Sequence, residues 1–159
     1  MKSRNIALLI LAFMILAAGC DSAMKADRDY AFTWGETRIE MHDRAAPLVE
    51  ALGGPQRYSE KANAAFDGPG KTYDYGSFCF STYPAENKDL IYSLWFSDEN
   101  VCTEEGIALG ATQAQVEQVY GSGCFQDTNA CTLTGKTSRL IIILSEGVVS
   151  AISYEAILS

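Results

Sequence analysis

The sequence predicts an α+β fold made of two related units, each a helix followed by an antiparallel meander of strands. Two observations support this prediction. The stretch 106–121 contains start and stop signals for one short helix, and a similar pattern occurs earlier at 46–53. Each stretch is followed by short apolar or aromatic runs separated by turn residues. We therefore expect a first α+β unit at 30–106 and a second at 107–159.

The helix within 106–121 is marked at both ends. Thr112 is a favourable N-cap, and Gln115 three residues later completes a capping box. Gly121 follows at the C′ position, where a positive φ favours glycine. Apolar residues recur at helical spacing between these ends: Val116, Val119 and Tyr120. These signals predict a helix of about two to three turns.

The earlier stretch 46–53 repeats this pattern at one constant offset. Four of its residues, Leu48, Ala51, Leu52 and Gly53, fall on Val116, Val119, Tyr120 and Gly121. Asp43 or Arg44 opens this helix, and Pro47 lies in its first turn, where a missing N–H costs least. We expect both helices to point into one core through Leu48, Leu52, Val116 and Tyr120.

The strands are predicted from alternation and from turn residues. The first unit has a strand at 30–41, a connection at 57–71, and strands at 72–83, 90–97 and 101–103. In the second unit the strands are 130–134, 139–144 and 148–156.

The N-terminal segment 1–19 has the features of an export signal. Lys2 and Arg4 precede an apolar run at 6–18, which is shorter than the roughly 20 residues that span a bilayer. The run ends in Leu-Ala-Ala-Gly-Cys20, which resembles a bacterial lipobox, although Ala17 stands where the family prefers leucine. The resemblance implies lipid attachment at Cys20, followed by a tether at 20–29. The alternative is an ordinary signal peptide cut near Ala18.

Charge limits the partners of the mature chain. The segment 1–19 holds two of the 12 basic residues and no acidic one, so 10 basic residues face 20 acidic ones and the net charge is −10. Such a chain is a poor nucleic-acid binder and is repelled by anionic lipid headgroups. We expect membrane attachment through the lipid alone, on the outer face of the cytoplasmic membrane, in the cell envelope.

Four further cysteines permit two disulfides and three connectivities in an exported chain. Cys124 and Cys131 flank a short polar loop, so we expect them to pair. Cys79–Cys102 follows by elimination. The alternative of free buried thiols stays open.

The sequence offers little for catalysis. His42 is the sole histidine, so no Ser/His/Asp or Cys/His set exists without it, and its place before a helix favours a surface or capping role. Glu104–Glu105 and Asp98–Glu99 are adjacent in sequence and need not converge on a site. We expect no enzyme activity, no metal and no small-molecule cofactor.

Aromatic residues are abundant, and they give the clearest indication of function. If 72–83 is one strand, Tyr73, Tyr75 and Tyr83 share a face with Cys79, and Trp95 joins them from the next strand. Tyrosine and tryptophan suit protein recognition because they bury a large area at little entropic cost. We therefore assign Tyr73, Tyr75, Tyr83 and Trp95 to protein binding. The alternative, that they only cover the sheet, stays open.

The pattern Gly110-Ala-Thr-x-x-x-Val-x-x-x-Tyr-Gly121, followed by a meander, resembles the small α+β unit of β-lactamase inhibitor proteins. It is also similar to the small lipoprotein of the outer-membrane β-barrel assembly machine. Segments such as Asp89-Leu-Ile-Tyr-Ser93 resemble a group of uncharacterised lipoproteins of low-GC Gram-positive bacteria. The resemblance covers roughly residues 30–154. It implies a fold more than an activity.

These observations favour a non-enzymatic, lipid-anchored module that binds an unidentified protein partner. An accessory scaffold of envelope assembly is the main alternative. An enzyme or a solute-binding protein fits less well, since a two-lobed solute receptor needs a much longer chain.

Overall fold

The computed structural model describes residues 29–62, 66, 68–126 and 128–158. Within these ranges the chain forms nine strands and two helices. In chain order they are β1 (Ala31–Trp34), β2 (Thr37–Glu40), α1 (Ala45–Leu52), β3 (Arg57–Ala62), β4 (Pro69–Asp74), β5 (Phe78–Ala85), β6 (Lys88–Phe96), α2 (Gln113–Tyr120), β7 (Ala130–Thr134), β8 (Ser138–Ser145) and β9 (Val148–Ala156).

One antiparallel sheet of seven strands dominates the described chain, in the order β3-β4-β5-β6-β9-β8-β7. β1 and β2 form a separate hairpin. The predicted α+β class is wrong, because half of the structure is strand and 13% is helix. Each helix has only 8 residues and covers a small part of the sheet. The architecture is therefore mostly β, rather than a balanced repeat of helix and meander.

The core lies on one face of the sheet. Phe78 and Phe80 on β5 are fully buried there, and so is Tyr154 on β9. The β1–β2 hairpin packs on this face through Phe32, whose ring centroid lies 5.0 Å from that of Phe78. The helices add Leu48, Val116 and Tyr120 to the same cluster. We call this side the helix side and the opposite side the outer face.

The helix predictions hold for α2. The Thr112 hydroxyl accepts a hydrogen bond from the Gln115 backbone N–H at 3.3 Å, and the Gln115 side chain accepts one from the Thr112 backbone N–H at 2.8 Å. Gly121 has φ +102° and donates its N–H to the Glu117 carbonyl. Val116 and Tyr120 are buried as predicted, whereas Val119 is 37% exposed.

Four predictions of secondary structure are wrong in the first half of the chain. The segment 30–41 turns at Gly35–Glu36 and forms the β1–β2 hairpin. The segment 57–71, predicted to be a connection, holds the edge strand β3. The segment 72–83 is divided between β4 and β5 by a turn at 75–77, where Gly76 has φ +87°. The short strand at 101–103 is reduced to one bridge between Cys102 and Ala108. β7 and β9 match their predicted bounds.

The predicted signal at 1–19 and Cys20 lie outside the described residues. Asp29, at the predicted end of the tether, lies beside β8 and accepts hydrogen bonds from the backbone N–H groups of Thr137 and Ser138 at 2.7 and 3.2 Å. Among the residues described, no helix has the length and apolar character needed to cross a membrane.

Candidate functional site

Strand register aligns aromatic side chains across one end of the sheet on the helix side. Tyr58 of β3 pairs with Tyr73 of β4, and Tyr73 pairs with Phe80 of β5. Directly paired residues in a sheet project to the same face. These three rings therefore lie side by side, and Phe80 extends the row into the buried core.

Six rings follow one another from the hairpin to the sheet edge. We call them the aromatic ladder, in the order Trp34, Phe78, Tyr75, Phe80, Tyr73 and Tyr58. Successive ring centroids are 5.5, 5.2, 6.0, 4.8 and 5.1 Å apart. All five distances lie in the range in which aromatic pairs attract one another beyond their area burial.

The middle of the ladder is buried, and both of its ends are exposed. Phe78 and Phe80 are fully buried, whereas Trp34 is 40% and Tyr58 50% exposed. Tyr73 and Tyr75 are half-buried, and burial raises the pKa of both phenols. The Tyr75 hydroxyl donates to the carbonyl of Gly53 at 2.9 Å, which fixes the ladder against the end of α1. Large aromatic area is thus held rigidly at the surface.

Charged groups border the Tyr58 end of the ladder. The Tyr58 hydroxyl donates to the Glu60 carboxylate, which helps to raise the pKa of the phenol. Lys71 lies 2.8 Å from Asp89 and 3.8 Å from Glu60. One lysine is therefore shared by two carboxylates, and this border is acidic.

The predicted common face for Tyr73, Tyr75 and Cys79 is wrong. The turn at Gly76 reverses the chain between β4 and β5, so positions on either side of it no longer alternate as one strand. Tyr73 pairs with Phe80 and lies on the helix side, whereas Cys79 pairs with Asp74 and Trp95 on the outer face. Tyr73 and Tyr75 remain neighbours in the aromatic ladder.

Tyr83 belongs to a different cluster. Its hydroxyl lies 2.8 Å from Nδ1 of His42, and Nε2 of His42 lies 3.1 Å from the carbonyl oxygen of Thr137. Because a carbonyl only accepts, Nε2 carries the proton, and Nδ1 of a neutral ring accepts from Tyr83. The Tyr83 ring also packs against Phe66 and Tyr92. Tyr83 and His42 thus join the two halves of the chain.

Trp95 lies on the outer face, since it pairs with Cys79 rather than with Phe80. It lines a shallow depression of about 360 Å³ together with Arg57, Asp74 and Cys79, and Tyr58 at the end of the ladder also lines this depression. Arg57 forms an ion pair with Asp74 at 2.7 Å. Hydrogen bonds from the Gly76 backbone and from Arg57 lower the pKa of Asp74, and burial raises the pKa of the Cys79 thiol. The depression is therefore lined by an ion pair and by a thiol whose pKa is raised.

One of the two predicted disulfides is present, and the other is not. Cys124 and Cys131 form the predicted disulfide, with Cα atoms 4.9 Å apart. Cys79 and Cys102 are free thiols, so the pairing inferred by elimination is not formed. Cys79 lies on the outer face beside Trp95, whereas Cys102 is exposed in the connection to α2.

No three His, Cys, Asp or Glu side chains in the described part of the chain are placed to hold a metal ion. Glu105 accepts a hydrogen bond from the Tyr120 hydroxyl at 2.7 Å, while Glu104 accepts one from Arg38 at 3.0 Å. The two adjacent glutamates therefore serve different structural contacts.

Sequence reasoning missed Trp34 and Tyr58, the two exposed ends of the ladder. Trp34 was included in a long strand, and Tyr58 in a connection. The stretch 57–61 has a single aromatic residue among polar and charged ones, so it lacks the apolar/polar alternation that indicates a strand. Placing Tyr58 next to Tyr73 required the register between β3 and β4, which the sequence alone does not supply.

Comparison of the chain with protein-family models, with curated proteins and with solved structures gives no match.

Proposed function

We propose that this chain is an exported, lipid-anchored, non-enzymatic module that binds another protein through the aromatic ladder. The observation that supports binding is the ladder itself, with two exposed rings at its ends. Aromatic residues held rigidly at a surface dominate protein interfaces, because they lose little entropy on burial.

The proposed partner is a folded protein with a basic rim around an apolar contact. The mature chain carries 10 basic against 20 acidic residues, and Glu60 and Asp89 border the Tyr58 end of the ladder. Complementary charge speeds association and makes it sensitive to salt. We therefore expect capture to weaken as ionic strength rises.

Export and lipid attachment rest on the sequence at 1–20. The basic start, the apolar run at 6–18 and the Leu-Ala-Ala-Gly-Cys20 motif support this part of the proposal. Intact-mass measurement of protein extracted from membranes tests it. We expect a chain that begins at Cys20 and carries acyl mass, and Cys20→Ala should abolish that species. A chain that begins elsewhere, or lacks acyl mass, would contradict lipid attachment.

The two tryptophans allow a matched test of the binding surface. Trp34 lies in the ladder, and Trp95 lies on the outer face. Tagged variants are used to capture partners from detergent-solubilised membranes, and the captured protein is quantified. Trp34→Ala and Tyr58→Ala should each weaken capture by about 30-fold, the equivalent of about 2 kcal/mol for a central interface aromatic. Trp95→Ala should leave capture unchanged.

Both ladder variants remove exposed rings and should fold normally, which circular dichroism checks. Loss of capture in Trp95→Ala alone would place the interface on the outer face and contradict the proposal. Capture of an integral membrane complex, with the same dependence on Trp34, would favour the alternative of an envelope-assembly scaffold.

A further inference from the structure

β7 is an edge strand of the seven-stranded sheet, and its free side can be deduced from hydrogen bonding. The Leu144 N–H donates to the Asn129 carbonyl at 2.7 Å, and the Gly135 N–H donates to the Ser138 carbonyl at 2.8 Å. In an antiparallel ladder, residues bond alternately to one neighbour and to the other side. Odd-numbered residues of β7 therefore bond to β8, and Ala130, Thr132 and Thr134 direct their backbone groups outward.

Two of these three residues have outward-facing backbone N–H and C=O groups that bond to no other described residue. The Ala130 carbonyl accepts the Thr128 hydroxyl at 2.8 Å, so the chain satisfies this position itself. Thr132 and Thr134 have no outward backbone partner among the residues that the structure describes. An open row of this kind is a template on which another strand can pair.

The composition of β7 does nothing to block such pairing. Its sequence Ala-Cys-Thr-Leu-Thr contains no charged residue and no proline. The opposite edge, β3, carries Arg57, Glu60 and Lys61 within six residues. Charged side chains are the usual protection of a sheet edge. β3 is therefore protected and β7 is not.

We propose that β7 pairs with β7 of a second copy of this chain, antiparallel and centred on Thr132. This register places Thr132 opposite Thr132 of the second copy, and Ala130 opposite Thr134. The positions whose backbone groups face outward then meet one another, as a hydrogen-bonded antiparallel pair requires. The open Thr132 groups bond directly to each other, whereas each Ala130–Thr134 pair forms only as the Thr128 hydroxyl gives up its contacts with the Ala130 backbone. Threonine opposite threonine is a favourable cross-strand pair, and no like charges face each other.

A twofold axis through Thr132 satisfies the symmetry of a homodimer, since the same strand serves both copies. Two seven-stranded sheets would join into one continuous sheet. The aromatic ladder lies at the β3–β5 end, far from β7 in strand order, and stays open in both copies. The dimer is thus independent of the proposed partner and would present two ladders to it.

Cysteine cross-linking of the full chain in native membranes tests the pairing. Thr132→Cys is introduced with Cys102→Ser, which removes the exposed native thiol. Opposed Cα atoms of a hydrogen-bonded antiparallel pair lie about 5.5 Å apart, within disulfide reach. We expect mild oxidation to give a covalent dimer. Ser59→Cys on the exposed strand β3 is the matched control and should stay monomeric. Absence of the Thr132→Cys dimer, or an equal yield from Ser59→Cys, would overturn the proposal.

Sedimentation equilibrium of the full chain in density-matched detergent gives a second measurement. Thr132→Lys sets two lysines directly opposite each other and should raise the dimer dissociation constant about tenfold or more. Ser59→Lys should leave the dissociation constant unchanged. A chain that is monomeric at every concentration, or a dimer unaffected by Thr132→Lys, would refute pairing through β7.

Discussion

Val116 and Val119 on α2 offer a matched test of which helix face enters the core. Both are valines within one 8-residue helix, so replacement by alanine removes the same atoms from the same element. Val116 is fully buried, whereas Val119 is 37% exposed. The sequence pattern placed both on one apolar face, and only the structure distinguishes them.

The expected cost follows from what each side chain loses. Val116→Ala withdraws two methyl groups from the core, worth about 0.8 kcal/mol each, and leaves a cavity that adds roughly 1 kcal/mol. The free energy of unfolding should therefore fall by about 2–3 kcal/mol. Val119→Ala removes groups that already contact water, and alanine has the higher helix propensity. Its effect should stay within about 0.5 kcal/mol.

Urea denaturation of the chain without its first 20 residues measures both values under conditions that preserve the disulfide. The slope of unfolding free energy against urea should be the same for both variants and the parent. Equal losses for Val116→Ala and Val119→Ala would refute the assigned orientation of α2. A larger loss for Val119→Ala would reverse it.

Two further predictions concern thiols and acid stability. Thiol labelling of the denatured, unreduced chain from residue 21 should find two reactive thiols, Cys79 and Cys102. Labelling of the native chain should find the exposed Cys102 alone. Four reactive thiols in the denatured chain would contradict the disulfide. Burial alone would raise the pKa of Asp29, but hydrogen bonds from Thr137 and Ser138 lower this pKa overall. The contribution of Asp29 to the stability of the fold is therefore complete above the unfolded pKa of about 3.9, and it is lost as pH falls through the lower folded pKa. Asp29→Asn should flatten the dependence of the urea midpoint on pH below about 4. Asp43→Asn should remove a slope of opposite sign, because burial raises the pKa of Asp43. An unchanged acid slope in Asp29→Asn would contradict the assigned contacts.

The aromatic composition of the candidate site was predictable from the sequence, but its position was not. Aromatic excess indicated a binding surface, and Tyr73 and Tyr75 do lie together in the ladder. Trp95 and Tyr83 lie elsewhere, because a turn at Gly76 changes which residues share a face. One turn residue was enough to alter the face assignment, since strand side chains alternate with a period of two.

The sequence by itself determined the features that depend on neighbouring residues. These are the capping box of Thr112 and Gln115, the Gly121 helix end, the bounds of β7 and β9, and the Cys124–Cys131 disulfide, which spans a short loop. Each depends on interactions within a few residues, so local chemistry suffices. The tertiary structure alone decided the fold class, the strand β3, the free state of Cys79 and Cys102, and the placement of Trp34 and Tyr58 in one ladder. Those features depend on the register between strands distant in sequence, which is fixed by the packing of the whole sheet against its core.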